Sequence, residues 1–327
     1  MALPSTAITR LELSATFSEF DLAVNRKKFI GPRVFKPVLV GIQAADVGKI
    51  PLEALLETAD DSRAPSGEYK RGDFEFTKFS YATDEHGREE PLDDRTLKIY
   101  RDIFDAEAIH SQRAMDIVLR NLEIACAAKL YDTAVWTGAT LTTAVAVEWS
   151  TVATGVPITN IKAAKQRVRD NCGLEPNALV CNQLQFENAM ATDQVVDRLK
   201  YWGGDDPKNL NEATAAALFG LEHIIVAGGI KNTAKKGQSA AISRIWSDEY
   251  VMVCRVAETA DPQEPCIGRT FMFSEENAGV GSDEELAIIV EEYREERVRG
   301  SVIRARNDRD LVVMYPEAGH MLSNITA

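Results

Sequence analysis

Histidine is scarce in this 327-residue chain, and that scarcity removes much chemistry at once. The four histidines are His86, His110, His223 and His320. They fall in four different stretches, and none stands in an HExxH frame that would hold zinc. No GxSxG motif marks a nucleophile elbow, so a serine triad would need distant residues gathered around one of these rings. Cysteine is odd in number: Cys126, Cys172, Cys181, Cys254 and Cys266. No CxxC spacing links them, which argues against zinc ribbons, redox dithiols and a disulfide framework, and leaves small thiols suited to a core. No apolar run approaches the roughly 20 residues of a membrane span. The opening Met1-Ala-Leu-Pro-Ser-Thr6 lacks a basic stretch followed by an apolar one. No secretory signal is read, and the expectation is a soluble cytoplasmic product with no membrane partner. Basic residues are outnumbered, 37 Lys and Arg against 50 Asp and Glu, for a formal net charge of −13. Such a chain is poorly equipped to grip phosphates.

What remains is ordinary globular material, 45% hydrophobic and 27% charged, enough for one large domain or two smaller ones. Residues 1–50 are irregular and punctuated by Gly31-Pro32, Pro37, Gly41, Gly48 and Pro51, as in an arm lying on something else. Residues 66–92 predict a long hairpin. Phe74 and Phe76 alternate with Asp73, Glu75 and Thr77, and the polar run Asp84–Glu90 is expected to turn at Gly87. Two strands with no layer beneath them need a surface to lie on. Residues 93–131 predict a long helix capped by Asp93 or Asp94. Its expected apolar stripe is Ile99, Ile103, Ala106, His110, Ala114, Ile117, Asn121 and Ile124. Free of Gly and Pro, it is expected to span roughly 50 Å.

Thr140–Val147 has strand character, and a second helix is expected from Thr159 or Asn160 to Asn171, ended by Gly173. From Asn177 the pattern alternates: strand 178–182, helices 183–191, 193–201 and 211–219, and strands 223–227, 241–246 and 250–256. Residues 286–304 predict one long strand on a period of two, in preference to a charged helix. A last strand is expected at Asp310–Tyr315, with His320 in a terminal turn.

Three stretches invite a chemical reading. Ala227-Gly-Gly-Ile230 follows an apolar strand but lacks the third glycine and the lysine of phosphate loops, so it reads as a turn. The carboxylates of Ser282-Asp-Glu-Glu285 with Glu291, Glu292, Glu295 and Glu296 lack calcium-loop spacing. They read as a charged face that pairs with Arg294, Arg297, Arg299, Arg304 and Arg306, across copies if copies meet. Lys231, Lys235 and Lys236, with Arg198 and Lys200, form a small basic patch without interleaved aromatics, and read as solvated.

The order of segments resembles a known family. Ala178-Leu-Val-Cys-Asn-Gln-Leu-Gln-Phe186, Val196-Asp-Arg-Leu-Lys-Tyr201, Ala217-Leu-Phe-Gly-Leu-Glu-His-Ile-Ile-Val-Ala-Gly-Gly229, Asn232–Gln238, Ile245-Trp246 and the closing Asp310–Asn324 follow one another as in the major capsid proteins of tailed bacteriophages. The resemblance implies an α+β chain of the Hong-Kong-97-type capsid fold. It implies an N-terminal arm (1–60), an extended hairpin loop (61–92), a peripheral domain with a long spine helix (93–175) and an axial domain (176–279). A peripheral return strand (280–308) and a C-terminal strand on the axial domain (309–327) complete it. The implied function is an icosahedral head shell around double-stranded DNA, touched non-specifically, with no catalysis and no cofactor or metal. Implied partners are other copies in hexamers and pentamers, a separate scaffolding protein, a portal and a decoration protein. The implied location is the virion, after assembly in host cytoplasm. Expected inter-subunit contacts are Phe74, Phe76 and Phe79 on the loop, and Arg294, Arg297, Glu292 and Glu295 on the charged face. The alternative with the same fold is an encapsulin-type nanocompartment; from another class, an α/β enzyme of unrecognised fold would show a deep pocket and a small oligomer.

Overall fold

The computed structural model describes residues 8–9, 29–49, 51, 56–58, 61–63, 65–72, 77–100, 106–201, 211–235, 237–273, 288–297 and 299–326. In chain order the elements are β1 (Ile8–Thr9), α1 (Gly31–Val34), β2 (Pro37–Val40), β3 (Ala44–Lys49), β4 (Thr77–Ala82) and β5 (Asp84–Asp93). Helices α2 (Asp94–Tyr100), α3 (Ala106–Leu130) and α4 (Gly138–Leu141) lead to β6 (Thr142–Ala144) and α5 (Pro157–Cys172). Then come β7 (Ala178–Asn182), α6 (Gln183–Ala191), α7 (Asp193–Tyr201), α8 (Glu212–Phe219) and β8 (His223–Ala227). The chain continues through β9 (Ile230–Asn232), β10 (Ile242–Arg244), β11 (Val251–Cys254), β12 (Gly268–Phe273), β13 (Ile289–Glu295) and β14 (Gly300–Val313). A 3₁₀ turn at Pro316–Ala318 precedes β15 (Gly319–Ser323).

Two sheets organise the molecule. One has five strands in the order β6-β15-β11-β7-β8, antiparallel at its centre and parallel at both ends. Every residue of β7 and β11 is buried, which explains why their apolar runs do not alternate. The helices around it end where the sequence says they should. Helix α6 opens with a capping box between Asn182 and Gln185, which satisfies orphan N–H groups at both positions. Helix α5 carries Pro157 in its first turn and ends at Gly173, whose φ of 69° is left-handed, a conformation glycine adopts without steric cost.

The other sheet is built on the 14-residue strand β14. One edge of β14 pairs first with β13 and then with β12, while β5 runs along the opposite edge from Gly300 to Arg309. Strand β1 extends the sheet beyond β13, and β2 runs parallel to β12. Gly300 is required by close approach: a Cβ there would lie 2.0 Å from the Leu92 carbonyl oxygen.

Helix α3 joins the two sheets. Ala114, Met115, Val118 and Leu119 pack with Val290, Ile303 and Ala305, whereas Leu122, Cys126 and Leu130 pack with Val180, Ile225, Met252 and Met321. Its 25 residues span ~37 Å at 1.5 Å each. The expected stripe is rotated. Of its members among the described residues, Ala106 and Ala114 are buried, Ile117 and Ile124 are half-buried, Asn121 is exposed and Ile99 is 57% exposed. The buried face instead follows Ser111, Met115, Val118, Leu122 and Cys126. Small and flexible side chains let a helix lie close between two layers, so β-branched isoleucines were the wrong guide.

Four further expectations are corrected. The run Asp84–Glu90 is no turn; it is the start of β5, paired residue by residue with β14. The partner of β4 is β3, upstream, so the ribbon is closed by residues 50–76. The single strand expected over 286–304 is two strands folded back at 296–299, where Arg299 takes a φ of 51°. A hairpin preserves period two through its reversal, and no Asn-Gly or Asp-Gly pair announced this one. Asp310–Tyr315 is largely the end of β14, and His320 sits in β15, not in a turn. Strand β12 was not anticipated.

Candidate functional site

Three surfaces are left incompletely covered by the described residues. The first is the β3–β4 ribbon. Its register places Ala45, Val47, Lys49, Thr77, Phe79 and Tyr81 on one face, because directly paired residues share a side. That face docks on the body. Tyr81 stacks on Phe271 with ring centres 4.6 Å apart, and Phe79 lies 5.8 Å from the same ring. The Tyr81 hydroxyl donates to the Ile42 carbonyl at 3.1 Å. Lys49 lies 4.0 Å from the centre of the Tyr315 ring and donates to the Met314 carbonyl at 2.7 Å. The opposite face, which carries Asp46, Lys78 and Ser80, is exposed, and Lys78 bonds to Asp46 across the strands. Farther along, the Arg63 guanidinium lies 4.7 Å from the Tyr69 ring, and Tyr69 is 72% exposed. Of the expected loop contacts, Phe74 and Phe76 lie outside the described residues, and Phe79 is half-buried against its own chain.

The second surface is the outer face of β5, β14 and β13. Arg304 pairs with Glu89 at 2.7 Å and with Glu291 at 3.4 Å, and Arg306 pairs with Glu291 at 2.8 Å. These groups border a groove of about 490 Å³ lined by Glu85, Gly87, Arg88, Glu89 and Arg304. The pairing of Glu291 with Arg304 and Arg306 was expected from sequence across copies; the structure forms it within one chain and adds Glu89, and Arg304 and Arg306, two apart on a strand, share a face. Arg294 holds Asp94 of the same chain through two bonds of 3.0 and 2.6 Å. The hydrogen bond from Arg294 lowers the Asp94 pKa below the ordinary carboxylate value. Glu292 and Glu295 are half-buried, and Arg297 is exposed on the β13–β14 turn.

The third surface is the β9–β10 ribbon. The register puts Ile230, Asn232, Ile242 and Arg244 on one face and Lys231 and Ser243 on the other. Ile230 is 51% and Ile242 68% exposed, so this face presents apolar side chains to solvent. Gly228 and Gly229 link β8 to β9 with no helix between them, in keeping with a turn. Lys231 is half-buried, Lys235 is exposed, and Lys236 lies outside the described residues.

Several buried polar groups of the five-stranded unit are occupied with folding, whereas the buried indole N–H groups of Trp136 and Trp149 have no hydrogen-bond partner among the described residues. Gln185 Nε2 donates to the carbonyls of Asp248 at 2.7 Å and Tyr250 at 3.0 Å, and Asn182 Nδ2 donates to that of Ser247 at 3.1 Å. Asn177 bonds both ways to the Val256 backbone, at 2.8 and 3.1 Å. His320 is buried, with Nδ1 2.9 Å from the Thr140 carbonyl oxygen and Nε2 3.0 Å from Thr143 Oγ1. The five cysteines are buried and unpaired, and burial pushes the thiols of Cys181 and Cys266 up to about 12 and about 11. Thiols held that high carry little of the nucleophilic thiolate at neutral pH. Among the described residues no group of three or more His, Cys, Asp or Glu is placed to hold a metal ion, and no helix is long and apolar enough to cross a membrane.

No family model and no curated protein matches the sequence. Solved structures do match. A phage-related protein from Bordetella bronchiseptica RB50 is 18% identical, with 98% of each chain covered and a TM-score of 0.69. The capsid of cyanophage P-SCSP1u is 10% identical over 89% of this chain and 86% of that one, at a TM-score of 0.54. A virus-like particle from Pyrococcus furiosus is 11% identical over 95% of this chain and 98% of that one, at 0.52. The likeness runs over nearly the whole length of each of these chains. The fold of this chain is the Hong-Kong-97-type shell fold of tailed-bacteriophage capsid proteins.

Proposed function

We propose that this chain is the major capsid protein of a tailed bacteriophage, a structural protein that assembles through copies of itself into an icosahedral head around double-stranded DNA. The observation that carries the reading is likeness to a capsid fold across almost the full chain. It has the support of surfaces that the described chain leaves uncovered: the Ile230 and Ile242 face, and the outer face of the β3–β4 ribbon. Hexamers and pentamers are the assembly units. A separate scaffolding protein, a portal and a decoration protein are the partners, and the location is the virion after assembly in host cytoplasm. The role is mechanical, without a catalytic site.

The proposed parts are an arm over 1–60, the extended loop over 61–92, the peripheral domain over 93–175 with its return strand at 280–308, the axial domain over 176–279 and the C-terminal strand at 309–327. Residues 84–93 pair with β14, so they are counted with the peripheral part. Phe74, Phe76, Phe79, Arg294, Arg297, Glu292 and Glu295 are proposed to face neighbouring copies. The net charge of −13 suits a wall that does not hold phosphates and leaves packed DNA free to slide.

Size exclusion followed by electron microscopy of the purified chain, alone and with candidate scaffolding protein, tests the proposal. Closed shells or rings are the expected result; a persistent monomer under every condition refutes it. Likeness to a virus-like particle keeps a nanocompartment as the second reading. Contents separate the two, since nuclease-protected DNA marks a head and a co-purifying enzyme marks a compartment.

A further inference from the structure

Glu123 lies on α3 where three parts of the chain meet, and it is fully buried. Its Oε1 accepts the backbone N–H of Ile30 at 2.8 Å and the indole N–H of Trp246 at 2.6 Å. Its Oε2 accepts the N–H of Gly31 at 2.6 Å. One carboxylate thus ties residues 29–35 to the bridging helix and to the loop before β11. Gly31 is required for this approach, because a Cβ there would lie 2.7 Å from Glu123 Oε2 and 2.9 Å from Cys126 Sγ. Around the tie, Ile30, Val34, Phe35, Leu122 and Trp246 form one apolar cluster.

The charges nearby do not compensate the carboxylate. On α3, Cys126 is a neutral thiol whose pKa burial raises well above its ordinary value. On β14, Arg309 donates to the Val118 carbonyl at 3.2 Å. Within residues 29–35, Arg33 is exposed. Beyond Trp246, Arg244 and Asp248 pair with each other in solvent at 2.8 Å. No Lys, Arg or His among the described residues bonds to Glu123.

We propose that Glu123 is a protonation-controlled latch that sets how tightly residues 29–35 are seated against α3 and Trp246. Two opposed effects place it near balance. Three N–H donors favour the ionised carboxylate, while burial without a cation favours the neutral acid. Burial is the larger, and it pushes the carboxyl from 4.5 up to about 7.

The sign follows from linkage. The seated state binds the proton more tightly than an open state in which water reaches the carboxyl. Seating is therefore strongest below the open-state value of 4.5 and weakens as pH rises to about 7, with little change above. The full difference corresponds to on the order of 10²-fold in the opening equilibrium.

Hydrogen exchange by mass spectrometry on the full chain tests this, with protection factors corrected for the intrinsic pH dependence of exchange. Protection of the Ile30 and Gly31 amides is expected to fall on the order of 10²-fold between pH 4.5 and pH 7.5. A peptide over Val251–Cys254 in β11 is expected to hold its protection. Glu123→Gln keeps an acceptor oxygen and cannot ionise, so its slope should vanish. Wild-type protection at residues 30–31 that is flat with pH overturns the proposal. So does a slope shared equally by β11, which would report global opening, or a slope that survives in Glu123→Gln. If that variant fails to fold, the comparison of the two wild-type peptides decides alone.

Discussion

The Tyr81–Phe271 stack is one of the contacts that dock the β3–β4 ribbon, and its strength can be measured. Phe271 is wholly buried and Tyr81 is 6% exposed, with rings nearly parallel at 7° and centres 4.6 Å apart. Replacing Phe271 by Leu removes part of a core ring, at a cost of about 1–3 kcal/mol. Replacing Tyr81 by Leu loses the stack and the hydroxyl bond to Ile42, each on the order of 1 kcal/mol. In the double variant the stacking loss is counted once, so the cycle should return a coupling of about 0.5–1.5 kcal/mol. Urea unfolding of the unassembled chain supplies the four free energies. Assembly should respond more sharply than stability, because both substitutions loosen the seat of the ribbon on the body. Particle yield scored by electron microscopy is therefore expected to collapse in either single variant while the chain remains folded. Additivity within about 0.3 kcal/mol would mean that the rings touch without mattering to each other, and undiminished particle yield would refute the link between ribbon seating and assembly.

Arg294→Glu should leave the unassembled chain about as stable as before, because the Arg294–Asp94 pair is half exposed and screened by water. Loss of particles in that variant supports a contact between copies, and normal particles remove Arg294 from the interface. Ile242→Asp should change the stability of the unassembled chain by less than about 0.5 kcal/mol, since Ile242 is 68% exposed, yet should abolish particles. A Ile242→Asp chain that assembles normally retires the β9–β10 face as a contact surface. Burial lowers the pKa of His320 from 6.5, so its unfolded form binds the proton first. The stabilisation it contributes is full above pH 6.5 and is lost as pH falls through the lower folded value. His320→Gln should flatten the stability profile in that window, and an unchanged profile by urea unfolding would assign the acid sensitivity elsewhere.

Much of the five-stranded unit was legible because its signals are local, although β15 was expected as a turn. Gly173 ends a helix as expected, and a fully buried strand reads as an unbroken apolar run. The sheet built on β14 was harder because its signals are not local. A strand that exchanges partners along one edge, from β13 to β12, carries no mark of the exchange in its own residues. Period two survives the reversal at 296–299, so two strands read as one. Asp84–Glu90 looked like a turn because it is polar, but an edge strand is protected from stray pairing by that same charge. The expected contact residues share this limit. Arg294 and Phe79 were expected between copies from their places on the charged face and the loop, and each has a partner within the chain. Glu123 gave no warning at all: a lone glutamate on a helix usually faces water, and only the approach of Gly31 and Trp246 makes it a junction.

A chain of net charge −13 repels its own copies at a distance, so any assembly it forms must be driven at close range. At physiological ionic strength the repulsion fades beyond roughly 8 Å, which leaves the detailed make-up of each surface to decide the outcome. The described surfaces divide that work. On the β5–β14–β13 face the carboxylates are largely matched by Arg304 and Arg306, so a neighbour meets short-range pairs and not an unbroken acidic wall. On the β9–β10 ribbon the apolar Ile230 and Ile242 supply what charge cannot, because burying them gains free energy whatever the net charge of the partner. The charged face is then suited to setting register and the ribbon to supplying affinity. That division suits a container whose copies must find one geometry many times without adhering in others.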